Sequence, residues 1–136
     1  MRPSLYALGF SILVLGGLLS ACSRSGTNAV AGDAERGRVL FQQTCAVCHA
    51  PGPGMAGGQG PGLVGVIGRS AAADANFGYT KALSDSKLVW DAATLDRFLA
   101  NPIAVVPGTT MVAPVPLPAD RSHLIAYLGI MTGQPI

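Results

Sequence analysis

The chain has 136 residues, of which 49% are hydrophobic and 12% are charged, and it contains 18 Gly and 10 Pro. This composition excludes an intrinsically disordered chain, a coiled coil and a collagen-like fibre. The formal net charge is +2, and no run of Lys or Arg occurs, so we expect no nucleic-acid partner. Aromatic residues make up only 6% of the chain, which predicts a thin core that something other than side chains helps to fill.

The first 21 residues have the pattern of a secretory signal peptide. Arg2 precedes an uncharged apolar run from Leu5 to Leu19, and small residues follow. The run is shorter than the roughly 18–20 residues that span a bilayer. The segment Leu19-Ser20-Ala21-Cys22 resembles the bacterial lipoprotein cleavage motif, so we predict cleavage after residue 21 and lipidation of Cys22. The alternative is an uncleaved anchor helix in which Cys22 has no role.

A lipidated Cys22 would hold the protein firmly at a membrane surface. Residues 22–32 are small, polar and without periodicity, which predicts a flexible tether, and residues 33–136 then form one domain. We expect the protein on the periplasmic side of a bacterial cell envelope. Ser23 rather than Asp follows the cysteine, which favours the outer membrane over the inner one.

The first helix of the domain begins after Asp33, which can cap it, and runs to about Cys48. Gly37, Phe41, Cys45 and Cys48 recur at spacings of about four, four and three residues and therefore share one face. The segment at the end of this helix reads Cys45-Ala46-Val47-Cys48-His49.

Three kinds of site could use this cysteine motif. A thioredoxin-like redox pair needs a βαβ pattern, whereas the flanks here are helical and Gly-rich. A structural zinc site needs a fourth ligand, which only His123 could supply. In c-type haem attachment, two thiols three positions apart form thioethers with the vinyl groups, and the adjacent imidazole lies along the iron axis. We predict haem c, with zinc binding and redox pairing as the alternatives.

The middle of the chain alternates loops with short helices. Residues 50–69 are predicted as loop, and Tyr79 to Ser84 as a turn or a short helix. Asp91 can cap a further helix that ends at Pro102. Its inward side chains are Leu95, Phe98 and Leu99.

Candidates for a second axial ligand are Met55, Met111, His123 and Met131. We favour Met111, because two prolines and a glycine keep residues 101–111 out of helix and stiffen the loop that presents the sulfur. The alternative is that Met111 fills a gap in the core. Met55 lies too close to His49 in sequence to reach the opposite haem face easily. For His123 we expect a solvated or capping role, and for Met131 a place in the core.

Residues 113–118 alternate with proline and are predicted as an extended segment, after which Asp120 opens a final helix. The inward stripe of this helix is Leu124, Tyr127, Leu128 and Met131. The chain is therefore predicted to be all-α, with a few short helices and loops so long that they must wrap something. Haem is the obvious filler.

Five segments in this order and spacing resemble the class I cytochromes c, particularly the mitochondrial and bacterial respiratory branch. They are GDAERGRVLFQQTCAVCH, GPGLVGVIGR, FGYTKA, Trp90 and NPIAVVPGTTM, and the resemblance covers about Gly32 to Leu128. It implies the class I cytochrome c fold, with three to five short helices and long loops around one covalently bound haem c.

The resemblance also implies a role for each matching residue. Cys45 and Cys48 would bind haem covalently, His49 and Met111 would be its axial ligands, and the Pro61 carbonyl would accept a hydrogen bond from His49. The remaining matches are Arg69, Tyr79 and Trp90, around the inner haem propionate, Thr109, on the Met111 side, and the helix crossing of Gly37 and Phe41 with Leu124 and Tyr127.

A protein of this family is expected to be a monomeric one-electron carrier and not an enzyme. Its partners would be other redox proteins, such as a cytochrome bc1-type donor and a terminal oxidase or reductase acceptor. One alternative is a haem c electron-entry subunit of a dehydrogenase or reductase complex. Another is a ligand-binding sensor or peroxidase, in which Met111 would have to leave the iron.

The sequence departs from the mitochondrial pattern in its surface charge. Mitochondrial members carry a ring of lysines around the exposed haem edge, whereas only Lys81 and Lys87 remain here. We therefore expect docking through apolar contact around the haem edge, with weak long-range steering and little dependence on salt.

Overall fold

The computed structural model describes residues 32–49 and 58–131. Within these ranges it has five helices, and no β-strand occurs beyond isolated backbone bridges. The helices are α1 (Ala34–Leu40), continued by a π-helical turn (Phe41–Cys45), α2 (Lys81–Asp85), α3 (Ala92–Ala100), α4 (Pro102–Val105) and α5 (Pro118–Ile130). The predicted all-α architecture of three to five short helices joined by long loops is confirmed. The signal segment, Cys22 and Met55 lie outside the described residues.

Side chains cap four of these helices, α1 to α4, at their first turns. Asp33 Oδ1 accepts hydrogen bonds from the backbone N–H groups of Glu35 and Arg36, at 3.0 and 3.2 Å. Asp91 Oδ1 accepts from Thr94 N at 2.7 Å. Such caps satisfy backbone donors that have no partner inside the helix, so both predicted starts are confirmed. Thr80 similarly caps α2.

Three helix boundaries differ from the sequence prediction. The first helix ends at Cys45 and not at Cys48, since the chain widens into a π-helical turn in which Ala46 N bonds Phe41 O at 2.9 Å. Residues 101–111 were expected to be free of helix, but α4 forms one helical turn there. Proline suits the first position of a helix, and the Asn101 side chain accepts from Ala104 N. Helix α5 begins at Pro118, two residues before Asp120, because proline again suits the first helical position.

Helices α1 and α5 cross at Gly37, as predicted. A β-carbon on Gly37 would lie 2.6 Å from the carbonyl carbon of His123 and 2.8 Å from Tyr127 Cβ, so the absence of a side chain lets the two backbones meet. One turn further along, the rings of Phe41 and Tyr127 pack with centroids 5.5 Å apart. Phe41 and Leu124 are the largest fully buried side chains in the described ranges. This crossing anchors the helix that carries the cysteines.

His123 is buried at the same crossing and is not solvated. Its Nδ1 accepts a hydrogen bond from the backbone N–H of Asp33 at 2.8 Å, so the capping role holds and the solvated one does not. The bond joins α5 to the first residue of the α1 cap. In the described ranges, no helix is long and apolar enough to cross a membrane.

The first prediction concerns this bond. In His123→Leu the Asp33 N–H loses its acceptor, and leaving a partly buried donor unpaired costs about 1–3 kcal/mol. We expect the free energy of unfolding to fall by that amount, as measured by guanidinium titration. His123→Asn is the matched control, since its amide oxygen can still accept a hydrogen bond. Equal loss in both variants would show that the ring's packing matters and the hydrogen bond does not.

Candidate haem site

A cavity of about 550 Å³ lies between the helices and the loops. This volume is within the range of about 300–1,000 Å³ typical of cofactor sites. Its lining includes all nine residues for which the sequence predicted haem contacts: Cys45, Cys48, His49, Pro61, Arg69, Tyr79, Trp90, Thr109 and Met111. They come from five separate stretches of the chain, which only the tertiary fold brings together.

The two cysteines reach the cavity from the end of the first helix. They are not joined in a disulfide, so both sulfurs are available for attachment to a cofactor. Burial raises the pKa of the Cys45 thiol, and the Thr44 hydroxyl, 3.4 Å from its sulfur, partly opposes this. The backbone N–H groups of Cys48 and His49 both bond to Cys45 O, at 3.0 and 2.8 Å, so a tight turn fixes the relative positions of the three side chains.

The His49 imidazole is oriented by the loop that begins at Gly60. Its Nδ1 lies 2.8 Å from the Pro61 carbonyl oxygen. Because a carbonyl can only accept, Nδ1 carries the proton and Nε2 keeps a free lone pair for a metal. Burial lowers the pKa of His49, against the effect of the Pro61 hydrogen bond. This favours the neutral ring, which is the form that binds iron.

Gly60 itself is a site residue that the sequence prediction missed. A β-carbon there would lie 2.6 Å from His49 Nδ1 and 2.9 Å from Nε2. A backbone bridge also pairs His49 with Gly60. The loop can therefore press flat against the ring and bring the Pro61 carbonyl into line. The only signal in the sequence is the glycine next to Pro61, and a glycine-rich loop gives many such signals.

Arg69 and Tyr79 supply the polar part of the cavity wall. The Arg69 guanidinium donates to the carbonyl oxygens of Gly62 and Val64, at 2.7 and 3.2 Å. It thereby fastens the loop that follows Pro61. Burial raises the pKa of Tyr79, so its hydroxyl remains a hydrogen-bond donor. A cation and a phenol in one wall are suited to receive carboxylates.

The rest of the wall is mainly apolar. The rings of Trp90 and Phe98 pack at a centroid distance of 4.9 Å, and both residues are buried. Other apolar lining side chains are Leu63, Val66, Leu83, Leu95, Leu99, Leu124 and Leu128. A dry wall of this kind excludes water from a bound group.

Met111 enters the cavity from the loop after α4. Its backbone N–H donates to Thr109 Oγ1 at 3.3 Å, and Thr109 N bonds Val106 O at 3.0 Å. The loop is thus folded back on the end of α4. Met131, by contrast, is buried against the core at the end of α5, as the sequence predicted.

The two other chemistries considered for the cysteine motif find no support. No group of three or more His, Cys, Asp or Glu side chains that could hold a metal occurs among residues 32–49 and 58–131. His123 lies at the α1–α5 crossing, bonded to Asp33, and does not line the cavity. The part of the chain described has no strands from which a βαβ unit could be built.

Two thiols, an imidazole with a free Nε2, a thioether and mainly apolar walls are a donor set that suits haem c. The comparisons with known proteins agree. The chain is 45% identical to cytochrome c2 of Rhodomicrobium vannielii over 105 residues. This match covers 76% of this chain and 83% of that relative.

The chain belongs to the class I cytochromes c. It is also 43% identical over 99 residues to cytochrome c2 of Rhodoblastus acidophilus, covering 72% of this chain and 92% of the relative. A plant relative, cytochrome c of Cannabis sativa, is 39% identical over 98 residues, with 71% of this chain and 88% of the relative covered. No protein-family model matches the chain. This cytochrome c binds one covalent haem c, with Cys45 and Cys48 spaced for its attachment, and it carries electrons.

Proposed function

We propose that this cytochrome c is a membrane-tethered one-electron carrier in a respiratory or related electron-transfer chain, with His49 and Met111 as the axial ligands. The observation that carries the proposal is that these two side chains line the same cavity as Cys45 and Cys48. With both axial positions filled by the chain itself, no coordination position remains open for a substrate. That arrangement suits a carrier and not an enzyme.

The bound haem c supplies an iron that takes up and releases one electron. The chain's contribution is to hold the surroundings fixed while the charge changes. The hydrogen bond from His49 to Pro61 keeps the imidazole oriented and makes it a better donor. The apolar wall around Trp90 and Phe98 limits the movement of water, and a thioether ligand raises the potential relative to a second imidazole.

The inner haem propionate would lie among Arg69, Tyr79 and Trp90. Thr109 would lie beside the haem on the Met111 side. A buried carboxylate is costly unless donors compensate it. Arg69 already donates to two loop carbonyls, and a guanidinium has five N–H donors in all. It can therefore bind a carboxylate without releasing the loop.

We propose that the protein acts on the periplasmic side of a bacterial cell envelope, anchored through lipid on Cys22 and tethered by residues 22–32. The signal-like composition of residues 1–21 and the cleavage motif before Cys22 support this. A tether raises the effective concentration of the domain near membrane partners. Its partners would be a cytochrome bc1-type donor and a terminal oxidase or reductase acceptor.

The surface of the domain favours docking through apolar contact. All seven acidic side chains and seven of the nine basic ones lie in residues 33–136, so the domain is balanced before haem adds its propionates. Most of the described cations are paired: the ion pairs are Arg36–Asp33, Arg38–Glu35, Lys81–Asp85 and Arg121–Asp96. In contrast, Val112 lines the cavity and is 73% exposed, and Val47, beside Cys48, is 77% exposed.

A second prediction follows for the rate of electron transfer. Steering by charge raises association rates by about 10–10³-fold and is lost steeply as salt rises. We expect the oxidation of a cytochrome bc1-type complex by this protein to change less than about threefold between low and physiological ionic strength. Val112→Asp should slow the reaction at every salt concentration, while Ile130→Asp, which is exposed but outside the cavity lining, should not. A steep salt dependence of the unmodified protein would contradict neutral docking.

The function is tested on the full chain expressed in a host that matures c-type cytochromes. The pigment should stay with the polypeptide in acid–acetone, and the oxidised protein should show the weak far-red band of iron–methionine ligation. It should also sediment with membranes, and replacing residues 1–22 with a signal peptide that is cleaved without lipidation should release it into the soluble periplasmic fraction. A colourless protein would overturn the haem site. Absence of the far-red band would overturn the Met111 ligation, and a parent protein found in the soluble fraction would overturn the tether. Stable co-purification with a large catalytic chain would indicate the subunit role instead.

A further inference from the structure

The segment that follows Met111 has few ways to hold itself in place. Residues 112–117, here called the connector, run from Met111 to the start of α5 without helix or strand. Pro114 and Pro116 have no backbone N–H to donate. Within the described ranges, the connector makes two backbone bonds to other elements: Val115 N donates to Leu99 O at 2.7 Å, and Leu117 O, at its end, accepts from Arg121 N at 3.2 Å in the first turn of α5. Other contacts must therefore fix the connector.

Arg121 provides these contacts from the first turns of α5. Its Nη1 donates to the carbonyl oxygens of Val115 and Pro116, at 3.1 and 2.8 Å. Its Nε donates to Asp96 Oδ1 on α3, at 2.7 Å. Arg121 is only 8% exposed, so its charge is largely removed from water and is compensated by Asp96 and the two carbonyl oxygens.

The fork of the guanidinium makes the arrangement specific. A planar group with donors in fixed directions can serve two adjacent carbonyls on one edge and a carboxylate on another. Asp96 compensates the charge and sets the orientation of the fork. The connector is thereby bound to α5 through Arg121. It is bound to α3 through the Arg121–Asp96 pair and through the hydrogen bond from Val115 N to the Leu99 carbonyl oxygen.

The consequence reaches Met111, four residues before Val115. On its other side, the Met111 loop is held by Thr109 and the end of α4. A loop fixed at both ends loses less conformational freedom when its sulfur binds a metal than a loop fixed at one end. The iron–sulfur bond is then easier to keep.

We propose that Arg121, oriented by Asp96, is a positioning residue that holds the connector and so keeps Met111 in place as the sixth ligand. The proposal rests on the axial role proposed for Met111 above. The rate at which another ligand replaces Met111 would then depend on residues outside the cavity lining, since neither Arg121 nor Asp96 is among the residues that face the cavity.

The test measures how fast an external ligand displaces Met111 in the oxidised holoprotein. Imidazole binding is followed by loss of the far-red iron–methionine band in the parent, Asp96→Ala and Arg121→Lys. We expect the displacement rate to rise about tenfold in both variants. Asp96→Glu restores a carboxylate and should return the rate toward that of the parent. Asp85→Ala breaks an exposed ion pair with Lys81 on α2 and should leave the rate unchanged.

A second control separates positioning from general destabilisation. His123→Leu weakens the α1–α5 crossing without touching the connector. Even where its unfolding midpoint is similar to that of Asp96→Ala, His123→Leu should therefore exchange Met111 at the parent's rate. If imidazole displaced Met111 at equal rates in Asp96→Ala and Asp85→Ala, this inference would be overturned, while the assignment of Met111 as a ligand would stand. Equal acceleration in His123→Leu would also overturn it, since exchange would then follow global stability. A parent protein without the far-red band would overturn the Met111 ligation itself, and this inference with it.

Discussion

Replacing Met111 with leucine is expected to abolish the iron–methionine band and to lower the reduction potential on the order of 0.1 V or more. Axial ligands set haem potentials over a span of about 0.8 V, and a methionine sulfur lies toward the high end of that span. Leucine fills a similar volume but offers no lone pair. The iron would then bind water or an added ligand at the sixth position. Potentiometric titration with visible spectroscopy measures both effects on one sample.

Met131→Leu is the matched control for this change. Met131 is 8% exposed and packs in the core at the end of α5, whereas Met111 lines the cavity. The same substitution at Met131 should change the free energy of unfolding by less than about 1.5 kcal/mol and should leave the band and the potential unchanged. If instead Met131→Leu removed the band and Met111→Leu kept it, the ligand assignment would be reversed. Band loss in neither variant would point to a ligand outside both positions.

The parts of the fold that the sequence predicted well are those fixed by short-range chemistry. Asp33 and Asp91 were identified as helix caps because a carboxylate at that position satisfies nearby backbone donors, and the structure has both bonds. The motif from Cys45 to His49 is likewise local, since its three side chains need only one turn of chain. Gly37 was found through resemblance, and the close approach of Tyr127 gives the physical reason for it.

The helix α4 was missed because proline has two opposite effects on a helix. Pro102 ends α3 because it cannot continue a helix, yet the same residue is well suited to begin one. Sequence reasoning used the first effect and missed the second, which gives α4. The π-helical turn before Cys45 leaves no mark in the spacing of apolar residues, because one widened turn shifts the face only slightly.

The polar contacts between distant segments could not be predicted from the sequence. His123 and Arg121 both lie on the inner side of α5, among Leu124 and Tyr127, where a binary pattern expects apolar residues. A charged or polar residue at such a position indicates a partner, but the partner's identity depends on the fold. His123 pairs with Asp33, 90 residues earlier in the chain, and Arg121 pairs with Asp96 on α3.

Gly37→Ala is expected to have a large effect on folding. The new methyl group would meet the His123 backbone and Tyr127 Cβ at 2.8 Å or less, and neither can move without displacing α5. Overpacking of a well-packed contact usually costs about 1–3 kcal/mol. Here the contact is backbone on backbone, so we expect about 3 kcal/mol or more. For a domain of this size, that corresponds to a fall in the melting temperature of about 10 °C or more.

Gly129→Ala is the same chemical change in a helix with open space around it. Among residues 32–49 and 58–131, no atom outside Gly129's own stretch of α5 lies within 4 Å of a β-carbon built at Gly129. Alanine favours helix over glycine by about 1 kcal/mol, so this variant should be slightly more stable than the parent. The two substitutions therefore shift the calorimetric melting temperature in opposite directions. A stabilised Gly37→Ala would mean that the α1–α5 crossing can open at little cost, and that the first helix does not need this contact to present Cys45 to the cavity.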